Sequence, residues 1–154
     1  LYVRGNHDTC YEPKTLGGDD LHRRVCKFND YWFGGLEGSI RYNNKALQYS
    51  EGQMFAFVLQ MMPKLLLLRS SRGYSLDIVV AHAPPQGVHD ISDDYAHRGF
   101  KAFHYLIHWA RPRYLLHGHV DTWDRRRTTE TVVGYTTVIN INPRKTLVLC
   151  KPGP

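Results

Sequence analysis

A nearly continuous apolar run, Ser75-Leu76-Asp77-Ile78-Val79-Val80-Ala81, stands between two segments of helical periodicity. It lacks the alternation of a half-exposed strand, so both of its faces must meet apolar neighbours, as they do inside a parallel sheet. Parallel neighbours need crossover connections, and the flanking segments can supply them. Upstream, Ser50-Glu51-Gly52-Gln53 has the form of a capping box. Met54, Phe55, Phe57, Val58, Met61 and Met62 then recur at helical spacing, which predicts a helix starting near Glu51. Pro63 lacks an N–H and clashes with the preceding turn, so a kink or an end is expected there, with Lys64 to Arg69 adding a further turn or two. Downstream, the spacing predicts a helix over 97–111, with Phe100, Phe103, Leu106, Ile107 and Ala110 facing inward and Pro112 closing it. Tyr114-Leu115-Leu116 then reads as a brief buried strand.

The remaining segments fit around this βα core. Leu1-Tyr2-Val3-Arg4 reads as the end of a buried strand, stopped by the loop formers Gly5-Asn6-His7-Asp8. A second strand is expected over Asp30 to Leu36. Thr, Val and Ile are dense from Thr128 to Asn142, with a break at Gly134-Tyr135, and a last strand is expected over Lys145 to Cys150. There is no internal repeat or linker, which makes residues 1–154 one domain. Its class is α/β with a late antiparallel portion.

Composition narrows the function classes. With 42% hydrophobic and 22% charged residues, the chain has the material for a core and is neither disordered nor collagenous. The most apolar stretch, Met54 to Leu68, is interrupted by Gln60, Pro63 and Lys64 and is too short for a bilayer span. A net charge of +6 suits an anionic substrate, a nucleic acid or simple solubility. Cys10, Cys26 and Cys150 are odd in number and match no zinc or disulfide spacing. At least one thiol is unpaired, which points to a reducing, cytoplasmic home. The chain opens on Leu1 rather than Met, with no charged n-region before an apolar one, so an upstream segment is expected.

Three predicted strand ends deliver metal-capable side chains to loops: Asn6-His7-Asp8, His82, and His119 with Asp121. Ligands gather outside the carboxyl ends of strands in α/β sheets, so three such ends can converge on one site. Imidazole, carboxamide and carboxylate together suit Mn, Fe, Zn or Co better than Ca or Mg.

In these residues the sequence resembles the calcineurin-like metallophosphoesterase superfamily, over essentially the whole chain. The superfamily's Gly-Asn-His-Asp/Glu motif is matched by Gly5-Asn6-His7-Asp8, and its isolated strand-end histidine by His82 in Ala81-His82-Ala83-Pro84-Pro85. Its Gly-His-x-His motif is matched by Gly118-His119-Val120-Asp121, with Asp121 where the usual ligand is His. The segment Phe33 to Ser39 also looks like the strand and turn that often follow the first motif.

The resemblance implies a layered α/β/β/α sandwich, incomplete at the N-terminus, and a metal-dependent phosphoesterase acting on a phosphomonoester or phosphodiester, nucleic acid included among the substrates. It implies that Asn6, His82 and His119 ligate a divalent ion, with Asp121 as a further ligand. His7 would protonate the leaving oxygen, with Asp8 orienting its ring. Two ions are implied in the complete enzyme. The ligands of the other belong to Asp-x-His and Gly-Asp-x-x-Asp motifs, which would lie before Gly5 and would need about 30–60 further residues. Without them the isolated chain is expected to hydrolyse poorly. The competing readings are a basic nucleic-acid-binding domain and a degenerate interaction module.

Plainer roles are expected elsewhere. Asp20-Leu21-His22 reads as a solvated turn, and His104 and His108, four apart on a helix, as surface or packing residues. His97-Arg98-Gly99 reads as a helix start where an anion could bind, and Asp90, Asp93 and Asp94 as a solvated acidic loop or as carboxylates supporting a site. Arg125-Arg126-Arg127 reads as a solvated loop, Tyr31, Trp32, Phe33 and Trp123 as core or rim packing, and Cys10 as a small buried hydrophobe.

Overall fold

The computed structural model describes residues 1–8, 17–43, 45–121 and 128–149. Cys10, Trp123, the 125–127 arginines and Cys150 lie outside them. The elements in chain order are β1 (Val25–Phe28), β2 (Tyr31–Leu36), β3 (Ser39–Ile40), β4 (Gln48–Tyr49), α1 (Glu51–Arg72), β5 (Ile78–Ala81), α2 (Ala102–Ala110), β6 (Tyr114–His117), β7 (Glu130–Val133) and β8 (Thr136–Asn140). Six strands form one sheet in the order β1-β2-β5-β6-β8-β7. The four central strands are parallel, and the two edges, β1 on β2 and β7 on β8, are antiparallel hairpins. β3 and β4 make a separate two-stranded sheet. The class is α/β, as the sequence predicts.

Register explains where the core lies. Gly34 pairs with Val79, Leu36 with Ala81, Val79 with Leu115, and Leu115 with Val138, so these residues share one face. Leu36, Val79, Ala81, Leu115 and Val138 meet Met54, Val58, Met61, Met62 and Leu65 of α1 and Phe103, Leu106, Ile107 and Ala110 of α2 in one buried cluster. The buried α1 positions recur at helical spacing, and burial of that stripe is the main force holding the helix to the sheet. At the amino end of β5, fully buried Asp77 accepts from the Trp32 N–H, Arg72 and Arg113, so its charge is paired rather than isolated.

The capping box predicted at Ser50 is present: Ser50 Oγ accepts from the Gln53 N–H and Gln53 Oε1 from the Ser50 N–H. Pro63, however, neither ends nor interrupts α1, which runs on to Arg72 and closes on Gly73. Met61 and Met62 before the proline and Leu65 after it are all buried against the sheet, and that packing holds both halves of the helix.

The second helix starts later than predicted. His97 instead ends a short 3-10 turn, Tyr95–His97, and residues 98–101 are not helical, because Phe100 bridges Pro85 and donates its N–H to Pro84 O at 3.0 Å. Gly99 permits this approach: an added Cβ there would lie 2.5 Å from Pro84 O. Glu51 then accepts from the Lys101 and Ala102 N–H groups, fixing the start of α2 from outside its own sequence.

Three further expectations differ. Leu1 to Arg4 forms a single bridge, Tyr2 to Asp20, rather than a strand. Residues 144–149 form no strand, and Val148 is 81% exposed: branched residues need a partner ladder before they become one. Asp20-Leu21-His22 is no solvated turn either, since Leu21 is 1% exposed and His22 packs against Tyr49 and Phe57. No helix among the described residues is long and apolar enough to cross a membrane.

Candidate metal centre

β5 and β6 are parallel neighbours, so their carboxyl ends emerge side by side. The Gly118 N–H donates to His82 O at 3.1 Å, which ties the two outgoing loops together. Val120 N–H donates to Gly118 O at 2.8 Å around His119, whose φ is +65°. A three-residue turn of that hand is rare and strained for a residue with a side chain. It swings His119 back over the sheet toward His82.

The loop from Gly5 to Asp8 meets this pair from the other side. Gly5 lies flat against the His82 ring, and Asp8 Oδ2 accepts from the Gly5 N–H at 2.7 Å, closing the loop on itself. The structure therefore departs from the expectation that Asp8 orients the His7 ring. Among the described residues no hydrogen bond joins the two; a short carboxylate three residues from a free N–H closes on the backbone instead.

The three expected ligands converge. His82 Nε2 is 2.9 Å from Asn6 Oδ1 and 3.0 Å from His119 Nδ1. Asn6 is 3% exposed, and its Nδ2 donates to Tyr42 Oη at 3.1 Å, which turns Oδ1 toward His82. His119 Nε2 donates to Ala96 O at 2.8 Å, which leaves Nδ1 as a bare lone pair. His82 Nε2 thus faces two acceptors with at most one proton to give. Whichever tautomer His82 adopts, one acceptor lacks a proton.

A cation in that place would resolve the shortage. By their chemistry the two imidazoles and the carboxamide are a donor set that would suit a first-row divalent ion. Among the described residues no group of three or more His, Cys, Asp or Glu side chains is arranged to hold a metal.

Electrostatics agree with neutral ligands. Burial drives the His82 pKa down to about 3, with His119, His7 and His117 lowering it further, and burial also lowers that of His119. Both rings keep their lone pairs at neutral pH, the form that binds metal.

Asn6, His7, His82, His119 and Asp121 line one cavity of about 270 Å³, together with Tyr42, Ala96 and His97. His7 is exposed at its rim. Asp121 is exposed too, and its Oδ1 accepts from Asn142 Nδ2. His117, two positions before the expected ligand His119, takes no part in this convergence. His117 is fully buried and points away, its Nε2 3.0 Å from His89 Nδ1, while His89 Nε2 meets Thr131 Oγ1 at 2.9 Å. Burial brings the His117 pKa down to about 4. Period 2 explains the outcome: residues 117 and 119 would share a face only if the strand continued, and it stops at His117. Sequence reasoning missed Tyr42, for a lone tyrosine in a loop carries no spacing signal.

No family model matches the chain, and no curated protein matches it. Among solved structures, it is similar to one crystal structure at 18% identity and a TM-score of 0.51, aligning 80% of this chain to 45% of that one. The crystal structure of TT1561 of Thermus thermophilus aligns at 16% identity and a TM-score of 0.49, over 79% of this chain and 48% of that one. The chain spans about half the length of these structures. The first likeness bears on the α/β fold alone.

Proposed function

We propose that this chain is the larger part of a calcineurin-like, metal-dependent phosphoesterase acting on a phosphomonoester or phosphodiester. The observation that carries the reading is the approach of Asn6 Oδ1 and His119 Nδ1 to within 3.0 Å of His82 Nε2, at the carboxyl ends of adjacent parallel strands. Asn6, His82 and His119 would hold one ion of the Mn, Fe, Zn or Co type, and Asp121 lies on the same cavity as a further carboxylate ligand. A bound ion of this kind polarises a phosphoryl oxygen and makes a water more acidic.

The chain's own side chains supply the rest. Tyr42 fixes the Asn6 amide, Ala96 O fixes the His119 ring, and His7 at the rim gives a proton to the leaving oxygen. Asp8 acts on the loop by holding Gly5 in place. A second ion in the complete enzyme would take its ligands from Asp-x-His and Gly-Asp-x-x-Asp motifs upstream. The cytoplasm, where an unpaired Cys26 stays reduced, is the location that goes with this reading.

A second reading, a non-catalytic binding module on the same scaffold, is favoured by one observation: Asp121, the expected further ligand, already accepts a hydrogen bond from Asn142. Metal analysis with hydrolysis of bis-(p-nitrophenyl) phosphate separates the two, using the intact chain and its His82→Ala and Asn6→Ala variants. The phosphoesterase reading expects Mn(II) affinity to fall roughly tenfold or more in both variants, with turnover falling alongside it. Unchanged metal content and activity in both would overturn it, and metal uptake without turnover would favour the module.

A further inference from the structure

The cavity contains an imidazole that the chemistry above does not use. His97 lines it together with Asn6 and His82, with its ring 5.1 Å from that of His119 and inclined by 33°. It is held from behind. His97 Nδ1 donates to Asp94 Oδ2 at 2.5 Å, while Asp94 Oδ1 accepts from the Ala96 N–H at 3.0 Å. The His97 N–H donates to Asp94 O and the Ile91 N–H to His97 O, so the turn from 91 to 97 is closed by its own backbone. With Nδ1 occupied by Asp94, Nε2 is the nitrogen left to meet a ligand.

The placement is hard to explain by stability. The His97 and Asp94 side chains are 39% and 47% exposed, and an exposed pair of this kind contributes little to folding. The same turn also carries Ala96, whose carbonyl orients His119. One short segment therefore fixes a metal-capable ring on one side and presents a second ring to the open cavity on the other.

We propose that His97, positioned by Asp94, contacts the phosphoryl group of the substrate from the wall of the cavity that it shares with Asn6, His82 and His119. The inference rests on the phosphoesterase reading for the identity of the ligand. With Nδ1 engaged by Asp94, an N–H at Nε2 would donate to a P–O⁻ oxygen, which both a monoester and a diester carry. Asp94 is the positioning residue: it fixes the rotamer and leaves Nε2 forward.

The test uses inorganic phosphate as the probe, titrated into the chain labelled with ¹⁵N at histidine, with and without Mn(II). The His97 Nε2 resonance should move saturably with phosphate. His97→Ala should weaken phosphate binding roughly tenfold, the size of one charge-assisted hydrogen bond. His97→Gln, which keeps a polar end, should recover part of that loss, and Asp94→Asn should fall between Gln and wild type. Mn(II) uptake should stay at the wild-type level in all three. Phosphate affinity that ignores both the Ala and Gln substitutions, or a shift confined to His7, overturns the inference while normal Mn(II) uptake leaves the metal reading standing. A wild-type chain that takes up no Mn(II), yet loses phosphate affinity when His97 is replaced, does the reverse.

Discussion

Gly5 has no side chain, and the His82 imidazole occupies the space where one would be. An added Cβ would lie 2.7 Å from His82 Cε1 and 2.9 Å from Nδ1, closer than packed atoms come. Gly5→Ala should therefore push the ring off Asn6 Oδ1 and His119 Nδ1 without replacing Asn6, His82 or His119. Mn(II) affinity, measured by titration calorimetry, should fall about tenfold or more with the far-UV dichroism unchanged, as for other changes to residues that support ligands. Wild-type affinity in this variant would show that the ring's position does not matter. At this scale the sequence speaks through chemistry: Asn6, His82 and His119 are the residue types a metal takes. It says nothing about which nitrogen faces which neighbour. That choice is made by Tyr42 Oη and Ala96 O, groups 36 and 23 positions away along the chain from the residues they orient.

Elements are legible where local rules govern them. The capping box at Ser50, the spacing of the α1 core residues, the runs of β2 and β5 and the hairpin break at Gly134-Tyr135 all follow from neighbours in sequence. Elements escape a sequence reading where distant packing overrides those rules. α1 passes through Pro63 because the sheet holds both of its halves, and α2 begins at Ala102 because 99–100 is drawn against Pro84 and Pro85. The first of these carries a prediction. Pro63 is exposed and lies inside the helix, where it removes a backbone hydrogen bond without filling the core. Pro63→Ala should stabilise the chain by about 1–3 kcal/mol in urea unfolding, since proline costs about 3 kcal/mol in a helix interior. An unchanged midpoint would mean that α1 is already relaxed around the proline.

For the molecule as a whole, the parallel order of β2, β5, β6 and β8 places their carboxyl ends at one edge, and the histidine-rich cavity lies there. Gathering neutral histidines has a cost that depends on pH. The folded pKa values of His82 and His117, about 3 and about 4, lie below the unfolded value of about 6.5. Between these limits the unfolded chain binds protons that the folded chain refuses, so the stability contribution is whole above about pH 6.5 and declines as the pH falls toward 4. Urea midpoints taken at pH 7.5, 6 and 5 should drop in that order, with a shallower drop in His117→Asn. A midpoint that rises on acidification contradicts the burial of these rings.

The sequence by itself determined the class of the fold, most of the helix and strand positions and the residue types able to bind a metal, because periodicity, capping and donor chemistry are properties of neighbouring residues. Tertiary structure alone decided which strand ends meet, that His119 Nδ1 is the nitrogen turned toward His82, and that His97 and Tyr42 join the cavity. These are relations between segments tens of residues apart, fixed by sheet register and by where each loop finds a partner for its backbone, and no local pattern carries them.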